Sequence, residues 1–194
     1  MKKSIVLTSL LLTVIITGSY AQGFHIGVKG GTNITQIQGQ SFENGFKFGY
    51  SLGGFVELNL SKQWGIQPEL LWNQSKTTTA YNFNQIYNGF YGQDVTLNYL
   101  SIPILLSFKP TPLLSLQLGP QFGILMSQPS NLGDNISNAF KTGDFSILGG
   151  AQLNLGALRV GARYFIGLNN INDLSNQDTW KNQGFQLYIG VKII

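Results

Sequence analysis

The chain contains no cysteine and a single histidine, His25. The first absence excludes disulfides, cysteine-ligated zinc and a thiol nucleophile, and it removes lipid attachment through an N-terminal cysteine. The second leaves little from which a zinc site could be assembled, because the carboxylates are few and scattered. Charge is scarce too: 10% of residues are charged, against about 25% in ordinary soluble domains. With 43% hydrophobic residues, something other than water must cover much of the surface. Beyond the first 21 residues no apolar run approaches the roughly 20 residues a membrane-spanning helix needs. Any membrane crossing by the rest of the chain must therefore be made by strands.

Residues 1–21 read as a cleaved signal peptide. Lys2 and Lys3 form a basic start, "SIVLTSLLLTVIIT" an apolar stretch too short to span as a helix, and "SYA" a small-residue cleavage site ending at Ala21. The mature chain, 22–194, is then expected to begin at Gln22 and to form one domain, since no charge block or low-complexity linker divides it. Loss of Lys2 and Lys3 lowers the formal charge from +4 to +2. The remaining basic residues are dispersed, which is not the basic stripe that nucleic-acid binding requires.

What is present is alternation. In "GALRVGARYFIGLNNI", Leu158, Val160, Ala162, Tyr164, Ile166 and Leu168 occupy one phase and Arg159, Gly161, Arg163, Phe165 and Gly167 the other, the period of a strand. The same period places Phe48, Tyr50, Leu52, Val56 and Leu58 opposite Lys47, Ser51 and Glu57, and Trp64, Ile66, Leu70 and Trp72 opposite Gln67 and Glu69. Eight such runs fall at about 24–33, 46–60, 64–76, 95–108, 113–126, 145–155, 157–169 and 184–194. Their connections alternate: "SKQ", "KPTP" and "LGA" are tight, whereas 34–45, 77–94, 127–144 and 170–183 are long and rich in Asn, Gln, Ser and Gly.

An even number of strands with short turns at one rim and long loops at the other is the layout of an outer-membrane barrel. Closure supplies every backbone N–H and C=O with a protein partner in hydrocarbon, which an open sheet edge cannot do. The expected fold is therefore all-β, an eight-stranded antiparallel up-and-down transmembrane barrel with short periplasmic turns and long extracellular loops. Trp64 and Phe108 beside short turns, and Tyr50, Trp72 and Phe185 toward the long loops, are placed for two interfacial aromatic girdles. Pro68, Pro103 and Pro120 cannot donate to a ladder, and a bulge is expected at each.

An eight-stranded barrel has a lumen just wide enough for side chains to fill. Lys29, Glu57, Glu69, Arg159, Arg163 and Lys192 all fall on the phase opposite the apolar one. They are expected to form a structural lumenal network, with Arg163 against Glu69, because an unpaired buried charge is costly. No catalytic, metal or cofactor-binding residue is assigned. His25 stands alone at the short-turn end of the first strand, and "GVKGG" lacks the complete phosphate-loop motif. Expected partners are outer-membrane lipids and lipopolysaccharide outside, the outer-membrane assembly machinery during insertion, and an unidentified partner at the loops. The loop "TTTAYNFNQIYNGFYGQD" mixes Tyr81, Phe83, Tyr87, Phe90 and Tyr91 with amides, as adaptable recognition surfaces do.

Periodicity alone does not say which face is outside. A soluble lipocalin-like ligand carrier would bury the apolar face and hydrate the charged one, and a small outer-membrane lipid-modifying enzyme would share the barrel. The segments "GVKGGTN", "FVELNLSKQWGIQPELLW", "LSIPILLSF", "LQLGPQFGIL" and "ARYFIGLNNI", in this order, resemble the PorT-like outer-membrane β-barrel family of Bacteroidetes over nearly the whole mature chain. The resemblance implies an eight-stranded outer-membrane barrel, and the expected function is that of a non-enzymatic, structural or accessory outer-membrane protein. The family's namesake is associated with type IX protein secretion, and the resemblance carries over no catalytic residue or cofactor.

Overall fold

The computed structural model describes residues 23–38, 45–78, 94–127, 143–169 and 181–194. The leader, most of the four long loops and the aromatic cluster from Tyr81 to Tyr91 lie outside the described residues. Eight antiparallel strands close on themselves in chain order: β1 (Phe24–Gln38), β2 (Lys47–Asn59), β3 (Trp64–Thr78), β4 (Asp94–Thr111), β5 (Leu114–Ser127), β6 (Gly143–Leu155), β7 (Leu158–Gly167) and β8 (Lys181–Lys192). The first strand pairs with the last from Gly27↔Lys192 to Gln38↔Lys181, so neither is left as an open edge.

The strands are longer than alternation alone suggests where their polar ends rise toward the long loops. β1 continues past residue 33 because Ile34 and Thr35 keep the strand period and find partners on both sides, Phe48 and Lys47 on β2 and Phe185 and Gly184 on β8. For the same reason β8 begins at Lys181 rather than 184. Three tight connections close the other rim. Ser61 Oγ accepts hydrogen bonds from the backbone N–H groups of Gln63 (3.2 Å) and Trp64 (3.0 Å), fixing the first. The third is the two-residue turn at Gly156, whose φ of +64° is the left-handed conformation that glycine adopts without strain.

The three prolines are accommodated without bulges, contrary to the sequence expectation. Pairing is interrupted between Phe55↔Glu69 and Leu58↔Ile66, between Pro68↔Ile104 and Leu71↔Ser101, and between Pro103↔Gln121 and Leu106↔Leu118, yet register is unchanged across each gap. A missing N–H removes a ladder bond without inserting a residue. The register shifts lie elsewhere, at Asn98/Tyr99 and Phe108/Thr111.

The apolar phase faces outward. Leu52, Leu70, Leu116, Leu118, Ile166 and Ile189 are all exposed, whereas Glu69, Arg163, Gln117 and Gln152 are buried inside. That orientation is the reverse of a lipocalin's. Trp64 packs at a tilt against Phe108 at the short-turn rim, with ring centroids 4.7 Å apart, and Tyr164 against Phe185 (4.7 Å) toward the long-loop rim.

Candidate functional site: the filled lumen

Inward-pointing residues of all eight strands meet in the lumen, and their polar groups fall into three groups along its axis. Near the short-turn rim, Arg159 of β7 donates to Glu57 of β2 through Nε (2.7 Å to Oε1) and Nη2 (3.1 Å to Oε2). This two-point geometry suits the planar guanidinium. Its Nη1 also donates to the carbonyls of Gly156 (2.7 Å) and Leu158 (3.1 Å), tying the pair to the β6–β7 turn. Lys109, on the same inward phase of β4, donates to Asn59 Oδ1.

The middle of the lumen is organised around Glu69. Its carboxylate accepts from Lys29 Nζ (2.6 Å), Arg163 Nη1 (2.9 Å), Arg163 Nη2 (2.8 Å) and Gln67 Nε2 (2.8 Å). The Glu69 and Arg163 side chains have 0% of their surface exposed, so the pair is withdrawn from water. Gln117 extends the network: its Oε1 accepts from Arg163 Nε (2.9 Å) and Nη2 (2.6 Å), and its Nε2 donates to Gln67 Oε1 (2.8 Å). The Tyr188 ring lies against both cations, with Lys29 Nζ 4.0 Å and the Arg163 guanidinium carbon 4.4 Å from its centroid. A Cβ at Gly161 would overlap that ring, so the glycine makes room for it.

Toward the long-loop rim the lumen is polar but holds fewer charges. Asp144 at the start of β6 and Asn182 at the start of β8 join Asn33, Asn73, Tyr99 and Gln121 around a small cavity. Asp144 and Asn182 are both buried there.

Of the six residues singled out from sequence, Lys29, Glu69 and Arg163 come together in one cluster and Glu57 and Arg159 in another. Lys192 lies half-exposed at the short-turn end and forms no ion pair among the described residues. Sequence reading missed four participants. Lys109 sits just past the run assigned to its strand, Asp144 and Asn182 fall in stretches assigned to loops, and Tyr188 carries no charge to draw notice. Strand phase would have found Lys109, since it follows Leu105 and Ser107 on the inward side. His25 occupies the short-turn end of β1 opposite Glu57, and no hydrogen bond joins it to a serine among the described residues. Nowhere among the described residues do three or more His, Asp or Glu gather as a metal cluster.

A closed eight-stranded barrel, apolar outside and polar inside, with short turns at one rim, is the architecture of an outer-membrane protein. The chain belongs to the outer membrane protein beta-barrel domain family, whose model matches residues 20–173. No curated protein sequence matches it. Its fold is similar to that of solved outer-membrane barrels. Ail, the attachment invasion locus protein of Yersinia pestis, solved with the heparin analogue sucrose octasulfate, aligns over 89% of this chain and 100% of its own at a TM-score of 0.53 and 15% identity. Neisserial surface protein A aligns over 89% of this chain and 98% of its own, with a TM-score of 0.54 and 11% identity. OprG of Pseudomonas aeruginosa aligns over 91% and 98%, with a TM-score of 0.52 and 11% identity. The protein is therefore an outer-membrane β-barrel.

Proposed function

We propose that the protein is a non-enzymatic scaffold of the outer membrane, with a sealed lumen and its working surface in the extracellular loops. One observation carries this reading: the middle of the lumen is occupied by the Lys29–Glu69–Arg163 cluster and its glutamine partners, which hydrogen-bond to one another. A catalytic group needs a reactant within hydrogen-bond reach, and a channel needs a continuous aqueous path. The cluster leaves room for neither. Its role is to tie β1, β3, β5 and β7 together from within.

The loop composition from Tyr81 to Tyr91 supports recognition of an external partner, and the likeness to PorT-like proteins of Bacteroidetes supports an accessory part in protein secretion. The leader pattern supports export with cleavage after Ala21. Lipid and lipopolysaccharide would surround the outward face, and the outer-membrane assembly machinery would insert the barrel. Planar-bilayer recording tests the sealed lumen: the purified protein should be almost silent, and stable, reproducible conductance steps would overturn the reading. Amino-terminal sequencing of the membrane-inserted form should begin at Gln22, and co-purification from native membranes identifies the loop partner.

A further inference from the structure

Among the described residues, five buried side-chain polar atoms have no hydrogen-bond partner: Asn33 Oδ1, Tyr99 OH, Gln121 Oε1, Asp144 Oδ1 and Asn182 Oδ1. They come from β1, β4, β5, β6 and β8, and all five residues line the same cavity toward the long-loop rim. Buried polar atoms are ordinarily satisfied, so five orphans around one space need an occupant.

The chemistry of the five is one-sided. Four are carbonyl or carboxylate oxygens, which accept and cannot donate. The amide nitrogens that could have been turned inward are already committed. Asn33 Nδ2 donates to Tyr50 O (3.1 Å) and Asn73 Oδ1 (3.2 Å), and Gln121 Nε2 donates to Ser146 Oγ (3.3 Å). Asn182 Oδ1 and Asp144 Oδ1 face the same space without a partner. Asp144 itself is 6% exposed and forms no ion pair among the described residues. The cavity has about 10 Å³ for the centre of a water-sized sphere, room for one such particle.

We propose that this cavity is a binding site for a single hard, singly charged cation of sodium size, held by Asp144 and the side-chain oxygens of Asn33, Tyr99, Gln121 and Asn182. One water molecule has two protons, satisfies two acceptors and leaves the carboxylate charge uncompensated. One cation meets all the oxygens together and cancels that charge. Oxygen-only ligation is the preference of hard cations rather than of zinc or copper. A divalent ion would leave an excess positive charge in a lumen whose Lys29–Glu69–Arg163 cluster is already net positive. Asp144 and Asn182 are each the second residue of a strand that descends from a long loop, so the ion enters from the loop side.

The test uses the full mature protein in micelles of a zwitterionic detergent, unfolded thermally or by denaturant in sodium chloride and in choline chloride of equal ionic strength. Choline is too large for the cavity. Well above half-saturation, each tenfold rise in sodium should raise the folded-to-unfolded ratio about tenfold beyond the choline control. Asp144→Asn should abolish that difference, whatever its own basal stability, and Glu57→Gln, which removes a carboxylate elsewhere in the lumen, should retain it. Equal responses to sodium and choline, or a sodium response surviving in Asp144→Asn, would overturn the site. A larger, Asp144-dependent response to calcium than to sodium would overturn the singly charged assignment. If Asp144→Asn does not fold, sodium-23 relaxation of the wild-type micelles decides. Excess broadening that saturates at one ion per chain is expected, and broadening no greater than that of empty micelles refutes the proposal.

Discussion

Glu69 and Asp144 are carboxylates buried in the same lumen, and their surroundings are opposites. Glu69 accepts four side-chain hydrogen bonds, three of them from cations. Asp144 lines a cavity beside Asn182, with one carboxylate oxygen unpartnered. One acid is a structural cross-link and the other an open ligand. Burial does not distinguish them, at 3% and 6% exposure. What separates them is whether the opposing strands supply donors: β1 and β7 bring Lys29 and Arg163 to Glu69, whereas β1, β5 and β8 bring further acceptors to Asp144.

The sharpest way to break the comparison is to remove Glu69. Glu69→Gln strands two cations at once, and leaving a buried charge without its partner costs about 3 to 5 kcal/mol. Unfolding in micelles should show the largest loss of any single lumenal substitution. Next comes a change on the outside. Leu116→Arg places a charge on the lipid face, where arginine costs about 2 to 4 kcal/mol at mid-membrane depth; reduced insertion into lipid vesicles measures it. Gln117→Lys, on the neighbouring inward position, should also be damaging, because Gln117 accepts from Arg163 and a lysine there meets a cation instead. Tolerance of Lys at 117 alongside intolerance of Arg at 116 would mean that the middle of the lumen adjusts more freely than the hydrogen bonds imply.

Arg163→Met should cost less than Glu69→Gln, since Lys29 and Glu69 remain as a charge-balanced pair. The loss is of order 1 to 3 kcal/mol, from acceptors on Gln117 and Glu69 left without a donor. Smallest is Asp144→Asn in choline buffer, where no cation holds the site. Removing an uncompensated buried charge there should leave stability unchanged or raise it, and the same denaturation curves check it.

Much of this architecture is legible in the sequence because a half-lipid, half-lumen strand writes its two environments onto alternate residues. Leu158 to Leu168 against Arg159 to Gly167 is enough to orient β7, and the alternation of tight and long connections gives the order of hairpins. Alternation fades where neither face is lipid. The polar upper parts of β1, β6 and β8 therefore read as loop, and Asp144 and Asn182 are hidden with them. Phase also places a charge inside without naming its partner. Arg163 and Glu69 meet, but Lys29 shares the same carboxylate through a contact 40 positions apart in the chain, which spacing cannot reveal. The prolines deceive for a related reason: a missing N–H is local, whereas the continuity of register is held by the many pairs on either side.

The central claim, that Glu69 joins the strands as a shared counter-ion rather than serving chemistry or transport, is tested most directly by a double-mutant cycle. Unfolding free energies of the wild type, Arg163→Met, Glu69→Gln and the combined variant would be measured in the same micelles, and the coupling extracted. Because Lys29 also depends on Glu69, the combined variant should be worse than Arg163→Met yet milder than Glu69→Gln, with one stranded cation instead of two. Strictly additive losses would contradict the account and leave Arg163 as a free lumenal charge available to a ligand.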